Sequence, residues 1–130
     1  MRILVVDDDV DVTESLCDVL DCLGHEPRCC YTGEEALSMC QETDFHIVFM
    51  DVRMPGISGF EATRQLQERH PGLAVCVLTG NSLGGTQEEL EALDLEGLIR
   101  KPVDPAQLLA VLQRVQRRCE LGKSSAPEAE

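Results

Sequence analysis

The sequence predicts an α/β fold: a five-stranded parallel sheet with helices on both faces. Three observations carry this. Short runs rich in Val, Ile and Leu (ILVV at 3–6, IVFM at 47–50, AVCVL at 74–78) read as strands buried on both sides. Segments of helical periodicity separate these runs, so strands and helices alternate along the chain. Three of the helical segments open on a Ser/Thr followed three residues later by Glu, a pattern that caps a helix N-terminus.

In chain order, residues 2–7 (RILVVD) form a strand. A helix follows over about 10–23, with Val12, Leu16, Val19, Leu20 and Leu23 on one face, and Gly24 stands where a glycine ends it. Residues 26–31 make a weaker strand. Thr32 to Glu35 caps a helix running to about 42, and residues 46–50 are the third strand. Ser58 to Glu61 caps a helix that ends before Pro71 and Gly72. Residues 74–78 are the fourth strand, and Thr86 to Glu89 caps a helix to about 95. Residues 97–100 form a short fifth strand. Asp104 and Pro105 supply the cap and first position of a last helix, which should end near 119. The closing stretch, GKSSAPEAE, has no apolar residue beyond alanine and is expected to be a disordered tail or linker. The organisation is one domain over 1–121 with a tail over 122–130.

At 130 residues the chain can bury a full core without disulfide or metal staples. It is 43% hydrophobic, with a mean hydropathy of -0.10. No apolar run reaches the roughly 20 residues of a membrane span, and the start MRILVVDDD is no signal peptide. A cytoplasmic location follows as an expectation. A net charge of -13 and a pI near 4.5 argue against nucleic-acid or membrane-surface binding. The basic cluster Arg114, Arg117, Arg118 and Lys123 should complement the dipole of the last helix. The seven cysteines include no CxxC and read as small apolar filler, with Cys29 and Cys30 facing opposite sides of their strand.

The polar residues gather at strand ends. The first strand runs into Asp7, Asp8 and Asp9, the third into Asp51, the fourth into Thr79, and the fifth into Lys101. In open α/β sheets ligands bind outside those carboxyl ends, so one edge collects carboxylates, a hydroxyl and an ammonium group. Clustered carboxylates repel, and all-oxygen donors with few imidazoles suit Mg²⁺. Lys101 and Thr79 can each meet a phosphoryl oxygen. A carboxylate so surrounded is equipped as a nucleophile for phosphoryl transfer.

VVDDD at 5–9, MDVRMPGISG at 50–59, LTG at 78–80 and KP at 101–102 together resemble the receiver domain of bacterial two-component response regulators. The resemblance spans Arg2 to about Cys119 and implies the flavodoxin-like strand order 2-1-3-4-5. It implies that Asp51 is the residue phosphorylated by a sensor histidine kinase or phosphotransfer protein. Asp8, Asp51 and the backbone carbonyl of Arg53 resemble direct Mg²⁺ ligands, and Asp7 resembles a ligand acting through water. Thr79 resembles the hydroxyl that moves to the phosphoryl group, and Lys101 the cation that pairs with it, before a cis Lys101–Pro102 bond. The signal would pass to an output domain or downstream protein. Two positions depart from the family: Leu98 stands where Tyr or Phe is usual, and Gly80 where alanine is commoner.

Three alternatives are distinguishable. A haloacid-dehalogenase-type phosphatase would use the D-x-D-x-T pattern of Asp9, Asp11 and Thr13, although the last two should lie on a helix. A non-phosphorylated interaction module could share the fold, against which stand the acid pair, Asp51, Thr79 and Lys101. A calcium loop at Asp7, Asp9 and Asp11 lacks its glycine, replaced by Val12, and its bidentate Glu, replaced by Asp18.

Overall fold

Five strands form one parallel sheet: β1 (Arg2–Val6), β2 (Glu26–Cys30), β3 (Ile47–Asp51), β4 (Ala74–Thr79) and β5 (Gly97–Arg100). Their order is β2-β1-β3-β4-β5, as the resemblance implies. The computed structural model describes residues 1–52, 56–80 and 93–129, with side chains as far as Leu121. Four helices lie in these segments: α1 (Val10–Cys22), α2 (Gly33–Glu42), α3 (Gly59–Arg69) and α4 (Pro105–Ala129). The helix expected over about 86–95 falls mostly outside the described residues.

Burial follows strand position. Every residue of β3 and β4 is buried, whereas the edge strands β2 and β5 are partly exposed. Pro27 sits in edge strand β2, where its missing N–H is tolerated. Alternation along the strands divides the core. Ile3, Val5, Phe49, Cys76, Leu78 and Ile99 face Leu16 and Leu20 of α1 and Leu108, Leu112 and Val115 of α4. Leu4, Val6, Val48, Met50 and Val75 face Ala36 and Cys40 of α2 and Ala62 and Leu66 of α3. Each fully buried large side chain contributes roughly 1.5–3 kcal/mol.

This division follows from chirality. The chain leaves β1 outward to β2, then returns past β1 to β3. Right-handed crossovers therefore place α1 on one face and α2 and α3 on the other. The reversal between β1 and β3 opens a crevice at their carboxyl ends.

The caps form as the sequence predicts. Asp9 accepts from the N–H groups of Asp11 and Val12, Thr32 from Glu35 and Ser58 from Glu61. Gly24 takes a φ of 91° after α1, a conformation open to glycine. Three features differ from expectation. The bounds of α4 run past residue 119 into the GKSSAPEAE stretch, although Gly122 costs about 1 kcal/mol and Pro127 about 3 kcal/mol relative to alanine in a helix. Arg114 and Arg118 do more than answer a helix dipole: both bind the carboxylate of Glu96, at 2.8 and 2.6 Å, and so tie α4 to the residue preceding β5. Cys17 and Cys29 are not independent filler, because α1 and β2 bring their sulfurs into contact. Cys30, Cys40 and Cys76 are buried, as filler should be.

Candidate functional site

The crevice between β1 and β3 receives the residues that the sequence places at strand ends. β1 delivers Asp7, buried, and Asp8, exposed at the mouth. Asp51 is the last residue of β3 and Thr79 the last of β4, and both are buried. Lys101 follows β5 and precedes a cis bond to Pro102. Carboxylate oxygens of Asp7, Asp8 and Asp51 lie within 4.8 Å of one another. Lys101 Nζ reaches 2.6 Å from Asp7 Oδ2 and 3.3 Å from Asp51 Oδ1. Thr79 Oγ1 makes a long 3.5 Å bond to the Gly80 carbonyl.

Several residues to which sequence reasoning gave no supporting role hold this arrangement. The Asp7 N–H donates to the Cys30 carbonyl at 3.2 Å, and the Asp7 carboxylate accepts from the Asp9 N–H at 3.0 Å. Thr13, wholly buried on α1, directs Oγ1 to the carbonyls of Asp7 and Asp9, at 2.9 and 2.8 Å. Its signal was a threonine four residues after an aspartate cap on the inward face of a helix, which is weak alone. Gly59 packs so closely on β3 that an added Cβ would stand 2.1 Å from the Asp51 carbonyl oxygen. Glu34 of α2 accepts the Ile57 N–H at 3.3 Å beside Gly56, whose φ is 82°. Both contacts secure the chain just after Asp51, and nothing short of tertiary structure shows them.

Of the other predicted positions, Arg53 lies outside the described residues. Leu98, at the position usually aromatic, is 41% exposed. Asp11 and Thr13 lie on α1, with Thr13 committed to backbone carbonyls, so the D-x-D-x-T pattern forms no phosphatase site.

Three carboxylates face one ammonium group, which leaves two formal negative charges for a divalent cation to neutralise. Burial pulls the Lys101 ammonium down, but its hydrogen bond to Asp7 and the charges of Asp51 and Asp7 outweigh this and hold it above the ordinary lysine value. Lys101 stays charged, shared between two acids, and free to follow either. The Asp51 carboxylate thus has a cation at hand and a hydroxyl at the end of the neighbouring strand.

The family model for the response regulator receiver domain matches residues 3–113. The chain belongs to the response regulator receiver family. Receiver domains are phosphoacceptor signalling modules, and this one shares their architecture. It is 34% identical over 131 residues to the response regulator MprA of Mycobacterium ulcerans, covering 99% of this chain and 56% of that protein. It is 32% identical to the virulence sensor protein BvgS of Bordetella pertussis, over 99% of this chain but 11% of that protein. Among solved structures, the response regulator TrrA of Thermotoga maritima, in complex with Mg²⁺ and BeF, superposes with a TM-score of 0.79 at 29% identity, over 88% of this chain and 97% of that one. The chain spans about half the length of the response regulators it matches. Receiver domains hold Mg²⁺ in their acidic pocket, and the all-oxygen cluster here has the donor set and excess charge to fit it.

Proposed function

We propose that this receiver accepts a phosphoryl group on Asp51 from a sensor histidine kinase or phosphotransfer protein, and that Asp8, Asp51 and the Arg53 carbonyl hold Mg²⁺ with Asp7 acting through water. The observation that carries it is Lys101 Nζ lying between Asp7 and Asp51, whose carboxylates cluster with that of Asp8, and Thr79 at the end of the next strand. When bound, Mg²⁺ neutralises charge on the phosphoryl oxygens and the carboxylates. Asp51 supplies the attacking oxygen: an O–P bond forms as the donor's N–P bond breaks, and the departing imidazole nitrogen takes a proton from solvent. Lys101 is released from sharing two acids and follows the new oxygens, and the Thr79 hydroxyl donates to another. Glu34 and Gly59 keep the Asp51 backbone from yielding. The chain takes part in its own phosphorylation and dephosphorylation rather than turning over a substrate. Residues 1–121 act as the receiver, with 122–130 as a tail or linker, and the modified face signals to an output domain or downstream protein. Cytoplasmic location suits the kinase partnership; among the described residues no helix is long and apolar enough to cross a membrane.

Acetyl phosphate with Mg²⁺ should add one phosphoryl group by intact mass. Chelating the metal or making Asp51→Asn should abolish it. Full labelling of Asp51→Asn would overturn the proposal.

A further inference from the structure

Asp7 is held at every polar group it has. Its N–H donates to the Cys30 carbonyl at 3.2 Å. Its carboxylate accepts from the Asp9 N–H at 3.0 Å and from Lys101 Nζ at 2.6 Å, one on each oxygen. Its carbonyl accepts from Thr13 Oγ1 at 2.9 Å. This last contact is the unusual one, because Thr13 is wholly buried on α1 and reaches six residues back, past the start of its own helix. A helical threonine ordinarily bonds only the carbonyl three or four residues earlier. Thr13 makes that bond too, to Asp9 at 2.8 Å, which fixes its χ1 and leaves Oγ1 aimed at Asp7. Its single proton is shared between the two carbonyls. The Asp7 carbonyl and the Asp8 nitrogen belong to one planar peptide, so the hydroxyl sets the direction in which the chain leaves toward Asp8. Asp8 is exposed, with no side-chain hydrogen bond or ion pair among the described residues, and that backbone aims its carboxylate. It still meets the oxygens of Asp7 and Asp51 within 4.8 Å.

We propose that the Thr13 hydroxyl is a positioning and cation-selecting group for the acidic cluster. By pinning the Asp7–Asp8 peptide it fixes the two carboxylates relative to each other, and that rigidity favours a small cation over a large one. This rests on reading Asp7, Asp8 and Asp51 as the Mg²⁺ site. Mg²⁺ demands near-ideal octahedral geometry, whereas Ca²⁺ accepts more oxygens in flexible arrangements. Acids free to swing apart would lose the geometry that Mg²⁺ needs and still satisfy Ca²⁺. Groups that orient metal ligands from behind are worth roughly 10–100-fold in metal affinity. A purely packing role for Thr13 makes the opposite demands on substitution. Valine has the shape of threonine and fills the same space without a donor. Serine keeps the donor and leaves the space of the methyl group empty. The two replacements therefore separate the hydroxyl from the packing.

The test measures Mg²⁺ and Ca²⁺ binding by calorimetry, with folding checked by urea titration. Thr13→Val should bind Mg²⁺ about tenfold more weakly than the wild-type protein, at the low end for such groups. Its affinity for Ca²⁺ should fall by no more than about twofold, so the preference for Mg²⁺ drops by about fivefold. Thr13→Ser should keep wild-type affinity for both ions, even where its urea midpoint falls. Thr63→Val is the control: Thr63 is wholly buried on α3 and its Oγ1 has no hydrogen-bond partner among the described residues, so neither affinity should move. Wild-type Mg²⁺ affinity in Thr13→Val, or an equal loss of both ions, overturns the positioning role. So does a tenfold loss of Mg²⁺ affinity in Thr13→Ser, which decides alone if Thr13→Val does not fold. Absence of Mg²⁺ binding by the wild-type protein overturns the metal-site reading and this role with it.

Discussion

Gly59→Ala probes how the fold holds the acceptor strand. The new Cβ would lie 2.1 Å from the Asp51 carbonyl oxygen and 2.9 Å from the carbonyl carbon of Asp51 and the Cα of Val52. All three are backbone atoms, so no rotamer change relieves the contact. The gap must open by about 1.2–1.5 Å to reach an ordinary C···O separation. Helix α3 cannot simply slide, because Ser58 fixes its first turn through the Glu61 N–H and the Gly59 N–H donates to the Val52 carbonyl at 3.0 Å. Overpacking of this kind costs about 1–3 kcal/mol. With a urea slope of about 2 kcal/mol per molar, the unfolding midpoint should fall by about 1 M. The displaced backbone belongs to Asp51, so labelling by acetyl phosphate should slow by about tenfold even where the protein is folded, since misplacements of this size cost up to about 100-fold. Gly72→Ala is the matched control: its Cβ meets nothing within 4 Å, and it should change neither quantity. A Gly59→Ala protein with the wild-type midpoint and labelling rate would refute the packing argument.

Lys101→Met removes the cation from between Asp7 and Asp51, so Mg²⁺ should bind at least as tightly by calorimetry, and weaker binding would contradict the charge argument. Because the folded value of Lys101 is raised, its contribution to stability is complete below the ordinary 10.5 and is lost as pH climbs through the higher folded value. Glu96 behaves in the opposite sense: burial pushes its carboxyl up, but the hydrogen bonds and charges of Arg118 and Arg114 outweigh this and hold it low. Its contribution is therefore present above 4.5 and disappears as pH falls through the lower folded value, and Glu96→Ala should cost about 1 kcal/mol at neutral pH by urea titration and little once that carboxyl is protonated. Burial pushes Cys30 and Cys76 up to about 12 and Cys40 up to about 11. At pH 8 a maleimide should modify exposed Cys22 first and leave those three unlabelled until the chain unfolds.

Strand ends were the most legible part of the sequence. An apolar run that stops on an acid or a threonine states both the strand and its outlet, which is why Asp7, Asp51, Thr79 and Lys101 could be placed on one edge before any coordinates. Helix starts at Asp9, Thr32 and Ser58 were equally local, since a cap and its N–H partners lie within three residues. What escaped depends on contacts between distant segments. Gly59 looks like an ordinary first helical residue until the Asp51 carbonyl is set beside it. Glu34 and Ile57 are 23 residues apart, and Cys17 meets Cys29 only because α1 folds back over β2. The bounds of α4 beyond residue 119 were not legible, because apolar periodicity stops there while the helix is bounded at Ala129.

The most direct measurement maps the phosphoryl group itself. Protein labelled with acetyl phosphate and Mg²⁺, then reduced with borohydride to convert the acyl phosphate into a stable alcohol, should carry the mark on Asp51 in the peptide that follows β3. The mark should vanish when Mg²⁺ is chelated. Modification at Asp7, Asp8 or any other carboxylate, with Asp51 unmarked, would contradict the assignment of Asp51 as the phosphoacceptor.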